Sequence, residues 1–139
     1  MALAMIGLVQ SAGAQFTCVT NNGAITITKY TGYGAITIPS TTNGWPVLSI
    51  GNNAFQNSSV TSVTIPNSVT NIGGSAFYNC HSLTNVAFGS GVNSIGTYAF
   101  SDCTKRASSK IPNSVITIGA GAFAGCSGIT KIAIGAGMP

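Results

Sequence analysis

Apolar residues recur along this chain at spacings of two and three, separated by Ser, Thr, Asn and Gly. One stretch places them at Val60, Val63, Ile65, Val69, Ile72, Ala76, Phe77 and Cys80. The next repeats the pattern at Leu83, Val86, Phe88, Val92, Ile95, Ala99, Phe100 and Cys103. A last copy begins with Ile129, Ile132 and Ile134 and breaks off at Pro139. The phrase Ile-Gly-x-x-Ala-Phe fixes the register. It starts at Ile50, Ile72, Ile95 and Ile118, in steps of 22, 23 and 23 residues. A fixed period in the twenties predicts a solenoid, because one such unit cannot bury its own apolar side and must stack on its neighbours. Alternating runs such as Val63-Thr64-Ile65 predict short strands. Pro66 and Pro112 fall just after them, where a missing N–H does least harm. The Gly after each Ile reads as a tight bend, and the Ala-Phe pair as a short helical turn whose Phe plugs the core of its coil. Phe55, Phe77, Phe100 and Phe123 are therefore expected to form one buried column.

Residues 15–46 precede these coils and read as a β-rich N-terminal cap covering the open end of the core. Two runs, Ala24–Thr28 and Ala35–Pro39, are strand-like, with Tyr30–Gly34 as the turn between them. Residues 47–139 then form the solenoid, its last repeat incomplete. Residues 1–14 differ from both. Ala2 to Val9 is a short apolar run, and Ala12-x-Ala14 has the small residues of a secretory cleavage site. The stretch is too short to span a bilayer and lacks a basic start. It reads as a signal peptide, with a mature chain from Gln15; the alternative is a buried N-terminal strand.

The pattern Leu-x-x-Val-x-Ile-Pro-x-x-Val-x-x-Ile-Gly-x-x-Ala-Phe-x-x-Cys resembles the BspA-type leucine-rich repeat family. Ile25–Gly32 and Ile38–Thr41 are also similar to that family's N-terminal segment. The resemblance covers nearly everything from Gln15 onward. It implies a leucine-rich-repeat solenoid of short stacked strands and turns, with 22–23 residues per coil. It further implies a secreted or surface protein of bacterial type, with adhesion or extracellular protein binding in some members. It brings no shared catalytic residues.

Charge sharpens this picture. The chain has five Lys or Arg, one acid (Asp102) and one His (His81), a net charge of +4, and only 4 % charged residues. Ordinary soluble domains carry about a quarter. The surface is instead rich in hydroxyl and amide groups, with little charge repulsion to keep copies apart. There is no Lys/Arg cluster interleaved with aromatic residues, so nucleic acid is not the expected partner. Paired-carboxylate catalysis needs two acids. A triad would have to use His81 and Asp102, and nothing marks an activated Ser beside them. The chain is expected not to be an enzyme and to need no cofactor or metal. Cys80, Cys103 and Cys126 recur one per coil, without the close pairs of a zinc motif. They read as a ladder of small buried residues. A secreted location would permit disulfides, and side-chain direction would decide between free and bridged. Cys18 stands alone in the cap.

One unit breaks the pattern. Counting from Cys103, Arg106 falls where Leu83 and Ile129 sit, and Ser109 where Val86 and Ile132 sit. A charge at a core position is costly unless it is paired or reaches water. The strand is expected to be shifted, bulged or poorly packed, either as a decayed repeat or as an insertion that puts Lys105, Arg106 and Lys110 on the surface. With Lys131 these are four of the five basic residues, all beyond residue 100. The outward strand positions include Thr84 and Asn85. Together these six residues are the candidate binding surface, facing an extracellular protein or an anionic glycan. The competing reading is a structural block whose copies stack through the solenoid ends. Ice binding through Thr-x-Thr rows such as Thr26-x-Thr28 does not persist through the coils.

Overall fold

A computed structural model describes residues 3–8, 15–106, 109–129 and 132–134 of the chain. In chain order its strands are β1 (Leu3–Leu8), β2 (Gln15–Asn21), β3 (Ala24–Thr31), β4 (Tyr33–Thr37), β5 (Thr41–Thr42) and β6 (Trp45–Ile50). They continue as β7 (Ser59–Thr64), β8 (Asn71–Ile72), β9 (Asn85–Ala87), β10 (Ser94–Ile95), β11 (Ser109–Ile111), β12 (Thr117–Ile118) and β13 (Ile132–Ile134).

The chain winds as a solenoid. One side is the parallel sheet β4-β7-β9. A second side stacks β6, β8, β10 and β12 in parallel, continuing from the cap through β3. A column of turns carrying the Ala-Phe pairs closes each coil. The apolar register predicted from the repeats is the buried core: Val60, Val63, Ile65, Val69, Ile72, Phe77 and Cys80 are all at most 2 % exposed. The Phe column is continuous. Phe55 stacks on Phe77 at 4.6 Å, Phe77 on Phe100 at 5.0 Å and Phe100 on Phe123 at 5.5 Å between ring centroids. Tyr30 and Phe16 extend it into the cap. Phe123, at the far end, is only partly buried.

Two expectations about the backbone are corrected. Among the described residues there is no helix. The Ala-Phe segments are runs of tight turns: Ala54 N–H donates to Gly51 and Gln56 N–H to Asn53, while Asn53, Phe55 and Asn57 donate to Gly74, Ala76 and Tyr78 of the next coil. Every second N–H is thus spent between coils, which an α-helix cannot do. Residues at positive φ, Asn53 (φ 60) and Asn57 (φ 59), interrupt any helical path. The glycines after each Ile do not serve handed bends either. Gly51, Gly73, Gly96 and Gly119 are absent from the positive-φ positions. They are small because the preceding coil's backbone crosses there: a Cβ on Gly96 would lie 2.6 Å from the carbonyl carbon of Gly73.

At the N-terminal end, β2 and β3 form an antiparallel hairpin, turned at Asn22 (φ 50) and Gly23 (φ 77). This is the backbone a two-residue type I′ turn requires. Cys18 and Phe16 are buried beneath it. β4, expected within the cap, pairs in parallel with β7 and is the first rung of the solenoid sheet. Leu3–Leu8, part of the stretch read as a signal peptide, pairs antiparallel with β2 as β1. Ala12 and Ala14 lie outside the described residues.

Candidate binding surface

The sheet β4-β7-β9 turns Val60, Val63 and Val86 inward, which leaves Thr61, Thr64, Thr84, Asn85 and Ala87 exposed on its outer side. Register aligns them in rows across coils. Asn85 follows Ser62 and Ala87 follows Thr64. Thr84 N–H and Oγ1–H both donate to the Thr61 carbonyl, at 2.8 and 2.9 Å. This hydroxyl ties one coil to the next. Thr84 and Asn85 are therefore where the sequence placed them, on an exposed parallel face.

Arg106 is not on the surface with Lys105 and Lys110 as expected. Arg106 is 0 % exposed and occupies the Leu83 position, with its N–H on the Cys103 carbonyl as Leu83 N–H is on Cys80. The correction has a physical cause. The guanidinium lies over three rings, 4.6 Å from the Phe100 centroid, 5.3 Å from Phe123 and 5.5 Å from Phe88. A desolvated guanidinium–ring contact contributes about 2 kcal/mol, and guanidinium is more weakly hydrated than ammonium. Burial pushes its pKa down to about 10, so it stays charged at neutral pH. The sheet β4-β7-β9 does not continue into β11, which pairs only with β13 among the described residues. Arg106→Leu, which restores the pattern, is expected to match or exceed the parent in melting temperature. Arg106→Ala is expected to lose about 2 kcal/mol or more, because it opens a cavity between the rings. Thermal melts of both variants check this.

Lys105 is exposed in the turn after Cys103, and Lys110 is exposed on β11. Lys131 lies outside the described residues. Lys110 falls 23 residues after Ala87, at the equivalent repeat position. It borders a recess of about 450 Å³ lined by Phe88, Ser90, Lys110, Pro112, Asn113 and Ser114. The recess is built by the coil around it: Ser114 Oγ–H donates to Val92 at 2.7 Å, and Asn67 Oδ1 accepts the Ser90 N–H at 2.9 Å. Sequence reasoning missed it because Phe88 stands at the Ile65 position and was read as core. Phe88 is half-buried. A Phe among aliphatic equivalents was the available signal.

The cysteine ladder takes the expected place. Cys80, Cys103 and Cys126 are free and buried. Each S–H donates to a Phe carbonyl of an earlier coil: Phe55 at 3.0 Å, Phe77 at 3.2 Å and Phe100 at 3.0 Å. Burial pushes the Cys80 thiol up to about 11. The Cys103 thiol is pushed up by the neighbouring Cys126 sulfur and by burial. Because the thiolate is the nucleophile, both are expected to resist iodoacetamide at pH 8 in the native chain and to react once it is denatured. Mass spectrometry of the alkylated chain checks this; rapid native labelling of Cys80 or Cys103 would show the corner open. Asp102 stands in the column of Asn57 and Asn79, and its carboxylate accepts the Ser101 hydroxyl at 3.3 Å. His81 is exposed in a loop, its N–H on the Asn79 carbonyl.

Comparison with known proteins gives a consistent result. Residues 25–138 match the model of a BspA type leucine rich repeat region, in six copies. No curated protein matches the chain. Among solved structures, a leucine-rich repeat protein from Bacteroides capillosus is 28 % identical with a TM-score of 0.75, over 91 % of this chain and 96 % of that one. A leucine rich repeat protein of T. pallidum is 28 % identical with a TM-score of 0.70, over 89 % of this chain and 70 % of that one. A leucine rich cell surface protein from Faecalibacterium prausnitzii is 30 % identical with a TM-score of 0.62. That match covers 96 % of this chain and 44 % of the longer protein.

Proposed function

Because the chain belongs to the BspA-type leucine-rich repeat family, we propose that it is a non-catalytic recognition module, secreted or held at a cell surface. Its partner is an acidic segment of an extracellular protein or an anionic glycan. The observation that carries this reading is the recess at the edge of the exposed strand sheet, where Lys110 stands beside the half-buried ring of Phe88. An aromatic ring is the kind of residue enriched in the core of protein interfaces, and a cation beside it at the polar rim adds attraction for an acidic partner. Rows of Thr and Asn beside it supply hydrogen bonds without charge repulsion. Family membership supports the absence of catalysis, and the cell surface protein of F. prausnitzii supports the location. Among the described residues no helix is long and apolar enough to cross a membrane.

Retention of the purified chain on heparin and on immobilised poly-glutamate tests this reading. Retention is expected at low salt and is expected to fade toward physiological ionic strength, where the screening length is about 8 Å. Lys110→Ser is expected to elute earlier with unchanged melting temperature. Elution of parent and variant together, or no retention at all, refutes the role of Lys110.

A second reading, assembly of copies through the solenoid ends, is favoured by a chain with only 4 % charged residues, which leaves little repulsion between copies. Sedimentation velocity across a range of protein concentrations separates the two: assembly predicts growing species, and a recognition module stays monomeric.

A further inference from the structure

We propose that the recess between Tyr78 and Tyr98, on the turn side of the solenoid, is a second binding site, and that it takes a neutral saccharide. The inference is independent of the anionic-partner reading, which concerns the strand sheet. The recess has a volume of about 430 Å³ and is lined by Gln56, Ser75, Tyr78, Tyr98, Ser101 and Asp102.

Comparison of equivalent positions in successive coils shows that this place is not a plain repeat of its neighbours. Tyr98 (φ 55) stands where other coils carry Asn53 (φ 60), Ser75 (φ 53) and Gly121 (φ 64). Asp102 (φ 59) stands where they carry Asn57 (φ 59), Asn79 (φ 62) and Gly125 (φ 68). Asn and Gly tolerate the left-handed region; a bulky aromatic residue there is an outlier, and such strain concentrates at binding sites. The next coil makes room for both side chains. A Cβ on Gly121 would come within 2.6 Å of Tyr98 Cδ1, and one on Gly125 would meet Asp102 Oδ1. Tyr98 is thereby braced on one side by glycine backbone, yet it remains 49 % exposed and borders the recess. The Asp102 carboxylate is held by the Ser101 hydroxyl at 3.3 Å. Among the described residues, the side-chain ladder of its column is the bond from Asn79 Nδ2 to Asn57 Oδ1 at 2.8 Å.

The chemistry of the lining selects the ligand. Two tyrosines give flat apolar area for the C–H face of a pyranose ring. Gln56, Ser75 and the phenols offer both donors and acceptors, while Asp102, which already accepts the Ser101 hydroxyl, offers acceptors only. A sugar hydroxyl is donor and acceptor at once and uses such a mixed set; an organic cation would use the acceptors alone. The chain's net charge of +4 also works against a cation. The lining comes from three successive coils. Two coil steps span about 10 Å, enough for two pyranose rings in a linear chain.

Titration of the full chain with maltohexaose and with cellohexaose, followed by calorimetry and by saturation-transfer NMR, tests the site. One of the two is expected to bind saturably. Tyr98→Asn and Asp102→Asn put into this coil the residues that Asn53, Asn57 and Asn79 already hold in others, so both are expected to keep the parent's melting temperature. Tyr98→Asn is expected to weaken binding by about tenfold or more, the loss of a ring face from the recess. Lys110→Ser is expected to leave saccharide binding unchanged, which separates this site from the strand sheet. No saturable binding of either saccharide, or equal binding by Tyr98→Asn and the parent, overturns the proposal. So does tetramethylammonium binding that Tyr98→Asn abolishes and neither saccharide displaces.

Discussion

Phe100→Ala is expected to lower the stability of the chain by about 3–5 kcal/mol, the cost of emptying a buried Phe site. The upper part of that range applies, because Phe100 is the most connected ring of the column. It is 0 % exposed and lies parallel, within 4°, to both Phe77 and Phe123. It also meets the edge of Phe88 at 5.7 Å and lies beneath the Arg106 guanidinium at 4.6 Å. Its removal opens a cavity and leaves a buried cation with one fewer ring. The two losses share a site and are not independent. Phe123→Ala, at the partly buried end of the column, is expected to cost less. Urea unfolding followed by circular dichroism measures both. Each coil of a solenoid contacts mainly its neighbours, so the coils beyond Phe100 are expected to exchange amide hydrogens faster in the variant. A Phe100→Ala chain that unfolds with the parent would show that the column does not hold the coils together.

The repeat register was legible because side-chain burial leaves its mark on every unit. Val60, Val63, Ile65, Val69, Ile72 and Phe77 could be placed from spacing alone, and so could the cysteine corner. What the pattern could not carry is contact between one coil's backbone and the next. The Ile-Gly glycines repeat as faithfully as the phenylalanines, yet their cause is close approach and not a handed bend. That distinction exists only once the coils are stacked. The turn column looked helical because Ala and Phe sit in a compact apolar group; its alternate N–H groups are claimed by the neighbouring coil instead. The Asn22-Gly23 pair is itself a hairpin signal, a short one beside the longer strand-like runs after it. Arg106 holds the Leu83 position that the count from Cys103 gives, and its burial is offset by three phenylalanine rings that only the stacked coils bring around it. Of the candidate surface, Thr84, Asn85, Lys105 and Lys110 are exposed. The recess at Tyr98 was legible only as a departure: Tyr and Asp where sibling coils carry Asn, Ser and Gly.

The neighbouring glycines Gly73 and Gly74 are expected to respond to the same substitution in opposite ways. Neither has a positive φ, so alanine carries no backbone strain at either position and only space differs. A Cβ on Gly73 would lie 2.7 Å from Asn52 N and 2.8 Å from the Gly51 carbonyl carbon, both of them backbone atoms of the preceding coil. Backbone cannot rotate away as a side-chain end can. The coils would have to separate there, and the ladder bond from Gly73 N–H to the Ile50 carbonyl, 2.8 Å long, would stretch with them. Gly73→Ala is expected to cost about 3 kcal/mol, the upper end for forcing a methyl into packed structure. A Cβ on Gly74 would meet nothing closer than the Thr97 carbonyl oxygen at 3.5 Å, an ordinary contact. The Gly74 N–H would keep its bond to Asn52 Oδ1 at 2.7 Å. Gly74→Ala is expected to be neutral or to stabilise by about 0.4–1 kcal/mol, because alanine narrows the unfolded ensemble. Paired urea titrations of the two variants measure the difference. Equal stability of the two would mean that the coils do not approach as closely as 2.7 Å at Asn52, and the account of the Ile-Gly phrase given above would fall with it.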